Sequence, residues 1–198
     1  MTSWGARVLE GDLVRLEPLR PEHEDGLWEA SRDKRTWRWL SIVQPGTRLE
    51  LGDYLEAALA NAAGGVELPF ATVRLADGRI VGSTRFLALR PEHRSLEIGW
   101  TWLAPAAWES GVNVEAKLLM FQDAFERLEC RRVELKTDAL NERSRRALAA
   151  LPARFEGVHR KHMLVRGGEN RDSAWYSIVH DEWPAVRKNL RERLRRQR

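Results

Sequence analysis

The stretch from Leu96 to Lys117 constrains this chain more than any other. Leu96-Glu-Ile-Gly-Trp-Thr-Trp-Leu103 reads as a strand, and Pro105 and Gly111 lie in the loop that follows. Val114, Leu118, Phe121, Phe125 and Leu128 then recur at helical spacing, with Lys117, Gln122, Asp123, Glu126 and Arg127 expected on the solvent face. A strand that ends in a Gly-containing loop and opens a helix leaves backbone N–H groups unpaired at the positive end of the helix dipole, an anion site. Two readings stay open for Trp108 to Lys117: an ordinary strand–helix turn, or a nest for the pyrophosphate of a nucleotide-bearing cofactor.

The length of 198 residues suits one domain, and a hydrophobic fraction of 43% can fill its core. No apolar run approaches the roughly 20 residues that span a bilayer. The start, Met1-Thr-Ser-Trp-Gly-Ala-Arg7, lacks the pattern of a signal peptide. Cys130 is the only cysteine, which suits a reducing cytoplasm and predicts a small buried hydrophobe rather than a reactive thiol or metal ligand. The net charge of +4 is concentrated at one end: seven of the 33 basic residues and one of the 29 acidic ones lie between Arg187 and Arg198. The rest of the chain is nearly neutral. The tail therefore reads as the solvated face of a basic terminal helix over about 181–198, and neither nucleic acid nor membrane is an expected partner.

Along the chain, Gly11 to Leu19 alternates as a strand, and Pro21-Glu-His-Glu-Asp opens a helix that buries Leu27 and Ala30. Trp37, Trp39 and Leu40 fall in a second short helical stretch that ends near Pro45-Gly46. Thr47 with Glu50 forms a capping-box pattern before the apolar stripe of Leu51, Tyr54, Leu55, Ala58 and Leu59. Strands over 69–75 and 79–87 meet at Asp77-Gly78, a hairpin signal, and the Leu96 strand completes an antiparallel meander. Beyond the Phe121 helix, Arg131 to Thr137 is a strand reached by a crossover and so parallel to its predecessor. A helix over Asn141–Leu151 buries Ala147, Leu148 and Leu151. Strands over 155–165 and 172–179 and the terminal helix complete the order β-α-α-β-β-β-α-β-α-β-β.

That order, with the Gly loop after the fourth strand, resembles the GNAT acyltransferase superfamily and its RimJ/RimL-like branch. The pieces that carry the resemblance are Leu-Glu-Ile-Gly-Trp100, Trp108-Glu-Ser-Gly-Val-Asn-Val-Glu-Ala-Lys117, the run from Arg132 to Leu148, Phe155-Glu-Gly-Val-His-Arg160, and Arg171-Asp-Ser-Ala-Trp-Tyr-Ser-Ile178. It implies an α/β (α+β) fold: a mixed, mostly antiparallel sheet of about seven strands, helices on both faces, splayed between the fourth and fifth strands. It further implies an N-acetyltransferase that moves an acetyl group from acetyl-CoA to an amine, a protein N-terminus or a small molecule, with no metal. A homodimer is one assembly open to it.

On the same resemblance, the backbone of Ser110, Gly111, Val112, Asn113 and Val114 would cradle the pyrophosphate, with Trp108 at the first position of the loop motif. Pantetheine would lie along Trp100, Thr101, Trp102 and Leu103 as though it were a strand. Asn141 would contact the cofactor and Ser144 would serve as the acid toward the leaving thiolate, although both also suit helix capping. Glu97 is the candidate general base; its other reading is a strand glutamate paired with Arg85 across the meander. The branch's sixth-strand glutamate aligns with Met163, and the family's tyrosine acid with Leu148, so both roles are vacant here. His162, beside Met163, can titrate near pH 6.5 but is expected on the opposite side of its strand. Trp37, Trp39 and His162 are the expected acceptor-pocket residues, together with the loop around Gly167. The departures at Met163 and Leu148 motivate a second reading, a catalytically weak acyl-CoA-binding protein.

Overall fold

The computed structural model describes residues 4–196; the first three residues of the stretch read for a signal peptide and the last two of the basic tail lie outside them. All strands join one sheet in the order β1-β2-β3-β4-β5-β6-β8-β7. They are β1 (Leu9–Glu10), β2 (Val14–Pro18), β3 (Leu68–Arg74), β4 (Ile80–Arg90), β5 (Ser95–Leu103), β6 (Arg132–Asp138), β7 (Arg154–Val165) and β8 (Glu169–Val179). The helices are α1 (Glu24–Ala30), α2 (Arg48–Ala63), α3 (Val112–Gln122), α4 (Glu142–Ala149) and α5 (Trp183–Arg196). The two-residue β1 is a strand beyond the seven expected from the sequence. Trp37, Trp39 and Leu40 lie in turns after a single 3-10 turn at Lys34–Thr36 rather than in a helix.

Strand alternation divides the interior into two cores. Phe70, Phe86, Leu96, Ile98 and Leu103 pack with Val114, Leu118, Phe121 and Phe125 of the α3 segment and with Trp183 and Leu190 of α5. Ala71 and Trp102, one residue out of step, face the other way and pack with Leu27 of α1 and Leu51, Leu55 and Ala58 of α2. Helices thus cover both faces, and each large side chain withdrawn from water contributes about 1.5–3 kcal/mol.

β5 and β6 are the only parallel neighbours, and they pair only at Ser95–Glu97 with Arg132–Glu134. Beyond that point β5 stays with β4 and β6 with β8, so the sheet opens into a wedge. A bulge shapes the β5 side: Ser83 pairs with Trp102 and Arg85 with Gly99, leaving Trp100 and Thr101 opposite Thr84 alone. Trp100 adopts φ 49° there. The bulge is pinned from the α3 side, where Lys117 Nζ donates to Thr101 Oγ1 at 2.9 Å and Thr101 Oγ1 lies 2.7 Å from Thr84 Oγ1.

Two residues expected on the solvent face of α3 are therefore interior. Lys117 is buried against Thr101, and its burial pushes its pKa down to about 7. Asp123 is buried between Arg7 (2.9 Å) and Arg127 (2.6 Å). Glu115 also turns inward, accepting from the backbone N–H of Asp12, Leu13 and Val14 at 3.1, 2.6 and 2.9 Å, which ties the start of α3 to β2. Ala147 is exposed rather than inward-facing on α4, whereas Leu148 and Leu151 are buried as expected. Cys130 is fully buried, its thiol pKa pushed up to about 12 by desolvation.

Candidate active site

The mouth of the wedge is the loop from Ala104 to Gly111. Gly111 is the N-cap of α3 at φ 82°, a conformation that favours glycine, and no side chain caps the helix. The amides at the head of α3 are therefore left to an anion, with the helix dipole behind them. Ser110 spends its hydroxyl on Ala107 O at 2.7 Å, so it has only its backbone to offer. Trp108 donates Nε1 to Leu103 O at 2.8 Å, which fastens the loop to the end of β5. Arg143 of α4 lies over the Trp108 ring at 4.0 Å and Arg35 at 5.5 Å. Asn113 is exposed. From Trp100 to Leu103, the β5 edge that faces the wedge has no strand against it. Backbone donors for phosphate and an open strand edge for an amide-bearing arm fit a ligand of the CoA kind.

Glu97 stands where the wedge begins. Its side chain is on the face opposite Leu96 and Ile98, is only 2% exposed, and accepts from Lys136 Nζ at 2.8 Å through Oε2. The pairing with Arg85 expected as the alternative does not form: Arg85 bonds Glu67 at 2.6 Å instead. Burial raises the Glu97 pKa above its ordinary value; Lys136, and at longer range Arg171, oppose that, while Glu134 adds to it. The other oxygen, Oε1, accepts no hydrogen bond and leans over Gly99, where a Cβ would come within 2.8 Å of it.

Lys136 in turn lies over the Trp175 ring at 5.0 Å. His159 and His162 pack against the same ring at 4.9 and 5.6 Å, and His162 Nδ1 is 3.0 Å from Ser173 Oγ. The β7 register shift between His159 and Met163 breaks the simple alternation expected for His162 and brings its ring into the Glu97 cluster. Burial, followed by the nearby Lys136, lowers the His162 pKa. Met163 pairs with Arg171 on β8.

The remaining expected residues separate into two groups. Asn141 accepts from Ser144 N at 3.1 Å as the N-cap of α4, and the Ser144 hydroxyl makes no hydrogen bond among the described residues. Trp37 is not a pocket wall: it is 2% exposed, donates Nε1 to Ser31 O at 2.8 Å and packs on Trp102 at 5.0 Å. Trp39 is half-buried beside Arg38. The segment after it does meet the Gly167 loop, since Arg166 donates from N to Ser41 O at 3.0 Å and from Nη1 to Leu40 O at 2.7 Å. Lys136, Arg171, Trp175 and Gly99 were not singled out from the sequence. Their signal was the polar alternation Arg132, Glu134, Lys136 and the odd-numbered face of the Arg171 to Ile178 motif.

A mixed sheet opened between its only parallel pair, with an uncapped helix at the opening, is the architecture of an acyl-transfer fold. Residues 14–153 match the family model described as the acetyltransferase (GNAT) domain. The chain belongs to the GNAT acetyltransferase family. A GCN5-related N-acetyltransferase from Brucella melitensis is 34% identical over 95% of this chain and 85% of its own, with a TM-score of 0.89. An acetyltransferase from T. thermophilus is 37% identical over 97% of this chain and 100% of its own, at 0.88. The Mycobacterium smegmatis RimJ solved in complex with CoA-disulfide shares the fold at a TM-score of 0.77, with 23% identity over 93% of this chain and 90% of its own. No curated protein sequence matches. Among the described residues, no helix is long and apolar enough to cross a membrane, and no cluster of three or more His, Cys, Asp or Glu is placed to hold a metal ion.

Proposed function

We propose that this single-domain, cytoplasmic enzyme acetylates a primary amine in a ternary complex with acetyl-CoA, and that Glu97 is its general base. The observation that carries the reading is the buried Glu97 carboxylate, with Oε2 on Lys136 and Oε1 unengaged, at the vertex of the β5–β6 wedge. When bound, acetyl-CoA supplies an acetyl thioester, which a neutral amine can attack. The head of α3, from Ser110 to Val114, holds the pyrophosphate, and the β5 edge from Trp100 to Leu103 holds the amides of the pantetheine arm. Glu97 accepts the proton that the amine loses as the C–N bond forms, directly or through one water. The Ser144 hydroxyl, free at the first turn of α4, supplies a proton to the sulfur as the C–S bond breaks. Much of the acceleration comes from holding amine and thioester together within the wedge. Asn141 keeps Ser144 in place by capping α4.

Thiol release from acetyl-CoA across a panel of amines tests this reading. Amine-dependent release that falls strongly in Glu97→Gln supports it. Acetyl-CoA binding without release on any amine establishes instead the binding-protein reading that Met163 and Leu148 motivate.

A further inference from the structure

Among the described residues, five buried side-chain atoms lack a hydrogen-bond partner. One, Asn189 Oδ1, is on α5. The other four are all N–H donors: Arg85 Nε and Nη2, Arg171 Nε and Trp175 Nε1. Their residues share the sheet face of Glu97. Arg85 is the cross-strand neighbour of Gly99, over which Glu97 leans, and Trp175 is the neighbour of Lys136, which Glu97 accepts from. Arg171 follows the same alternation as Trp175 and is close enough to act on the charge of Glu97. A buried N–H without an acceptor carries its full desolvation cost, and a native structure keeps several in one place where a ligand brings the acceptors.

We propose, building on the acetyl-transfer reading above, that the acceptor amine also bears a carboxylate and that Arg171 binds it, so the substrates are free amino acids or similar amino-carboxylates. Arg171 differs from the other arginines of this face. Arg85 has Glu67 at 2.6 Å and stacks between Tyr54 and Trp100 at 4.9 and 5.0 Å; Arg166 has Glu169 at 2.9 Å. Arg171 is 6% exposed and has no carboxylate within ion-pair distance among the described residues, and its one hydrogen bond goes to a neutral group, Ser41 Oγ at 3.2 Å. A guanidinium is matched best by a bidentate carboxylate. Ser41 belongs to the segment that Arg166 closes over the cluster, so a carboxylate on Arg171 lies under that closure with its amine toward Glu97. A peptide N-terminus offers only neutral carbonyl oxygens at this position, which satisfy the donors but leave the buried cation without an opposite charge.

The test compares acetyl transfer to the free L-amino acid, its carboxamide and the amine lacking both groups, in the alanine, methionine and phenylalanine series, with rates referred to the neutral-amine fraction. The expected result is a kcat/KM for the acid about tenfold or more above that for the amide in at least one series. The acid-to-amide ratio then collapses toward one in Arg171→Gln and is partly regained in Arg171→Lys. Acid and amide used equally, or amide preferred, in all three series by the wild-type enzyme overturns the proposal in favour of a peptide or neutral acceptor and leaves the acetyl-transfer reading standing. An unchanged ratio in Arg171→Gln overturns the role of Arg171 and makes its bond to Ser41 a purely structural tie. No transfer to any amine overturns both readings.

Discussion

Lys136 Nζ lies 2.8 Å from Glu97 Oε2, and the carboxylate of this pair is almost wholly withdrawn from water. The two residues are 39 positions apart and meet only because β6 is laid parallel beside β5. Burial favours the neutral acid and Lys136 favours the carboxylate, with burial the larger effect. A base must be ionised to act, so the acid limb of the kcat/KM profile belongs above the ordinary glutamate range.

Replacing Lys136 removes the main influence that lowers the Glu97 pKa, leaving Arg171 as a lesser one and Glu134 opposing it. Lys136→Met is expected to move the acid limb of the profile to higher pH, and Lys136→Arg to restore most of it. A pH–rate series on the three proteins checks the direction of the shift; a limb that stays in place in Lys136→Met removes the pair from the mechanism.

Gly99 leaves the space that the Glu97 carboxylate fills, since a Cβ there would stand 2.8 Å from Oε1. Gly99→Ala is expected to displace the carboxylate and lower kcat roughly 10- to 100-fold, because small misplacements of reacting groups are costly. Stability is expected to change by no more than about 1 kcal/mol, since the clash is with the end of a flexible side chain. Steady-state kinetics beside a denaturant titration separates the two effects.

Lys117 has a folded pKa of about 7, against 10.5 when unperturbed. Between those values the unfolded chain binds more protons, so this group makes stability rise with pH by about 1.4 kcal/mol per unit. Below pH 7 its penalty is complete, and above 10.5 it is gone. Lys117→Met, which also gives up the bond to Thr101, is therefore expected to raise Tm more at pH 6 than at pH 9 relative to the wild type. Equal shifts at both values contradict a neutralised buried lysine.

Gly111 turns the chain into α3 at φ 82°. Gly111→Ala places a Cβ in the left-handed region at a cost of about 1–2 kcal/mol and misaims the first amides of the helix. The expected signature is a raised KM for acetyl-CoA with the KM for the amine little changed. Calorimetric titration with CoA reads the same loss without turnover.

The elements were legible because their causes are local. Val114, Leu118, Phe121 and Phe125 mark the buried stripe of α3 by spacing alone, and all four are buried. Thr47 and Glu50 form the capping box their pattern announces. Lys117 and Asp123 were misplaced because charged residues at solvent-face positions read as exposed, while their partners Thr101 and Arg7 are brought in by tertiary packing. Trp37 was misplaced for a related reason: a tryptophan in a turn suits a pocket wall and a core equally well, and its packing against Trp102 depends on the meander. Glu97 was legible as a candidate from the family pattern. Its environment was not, since Lys136, Trp175 and Arg171 come from later segments whose alignment depends on strand register and on the β7 irregularity.

The central claim is that Glu97 removes the amine proton, and its most direct measurement is the pH dependence of kcat/KM for acetyl transfer by the wild type and Glu97→Gln. A general base contributes about 10²- to 10⁴-fold. The predicted result is a wild-type acid limb above the ordinary glutamate range, and a Glu97→Gln protein slower by that order with the limb abolished. A Glu97→Gln protein within about twofold of the wild type, with the same limb, contradicts it.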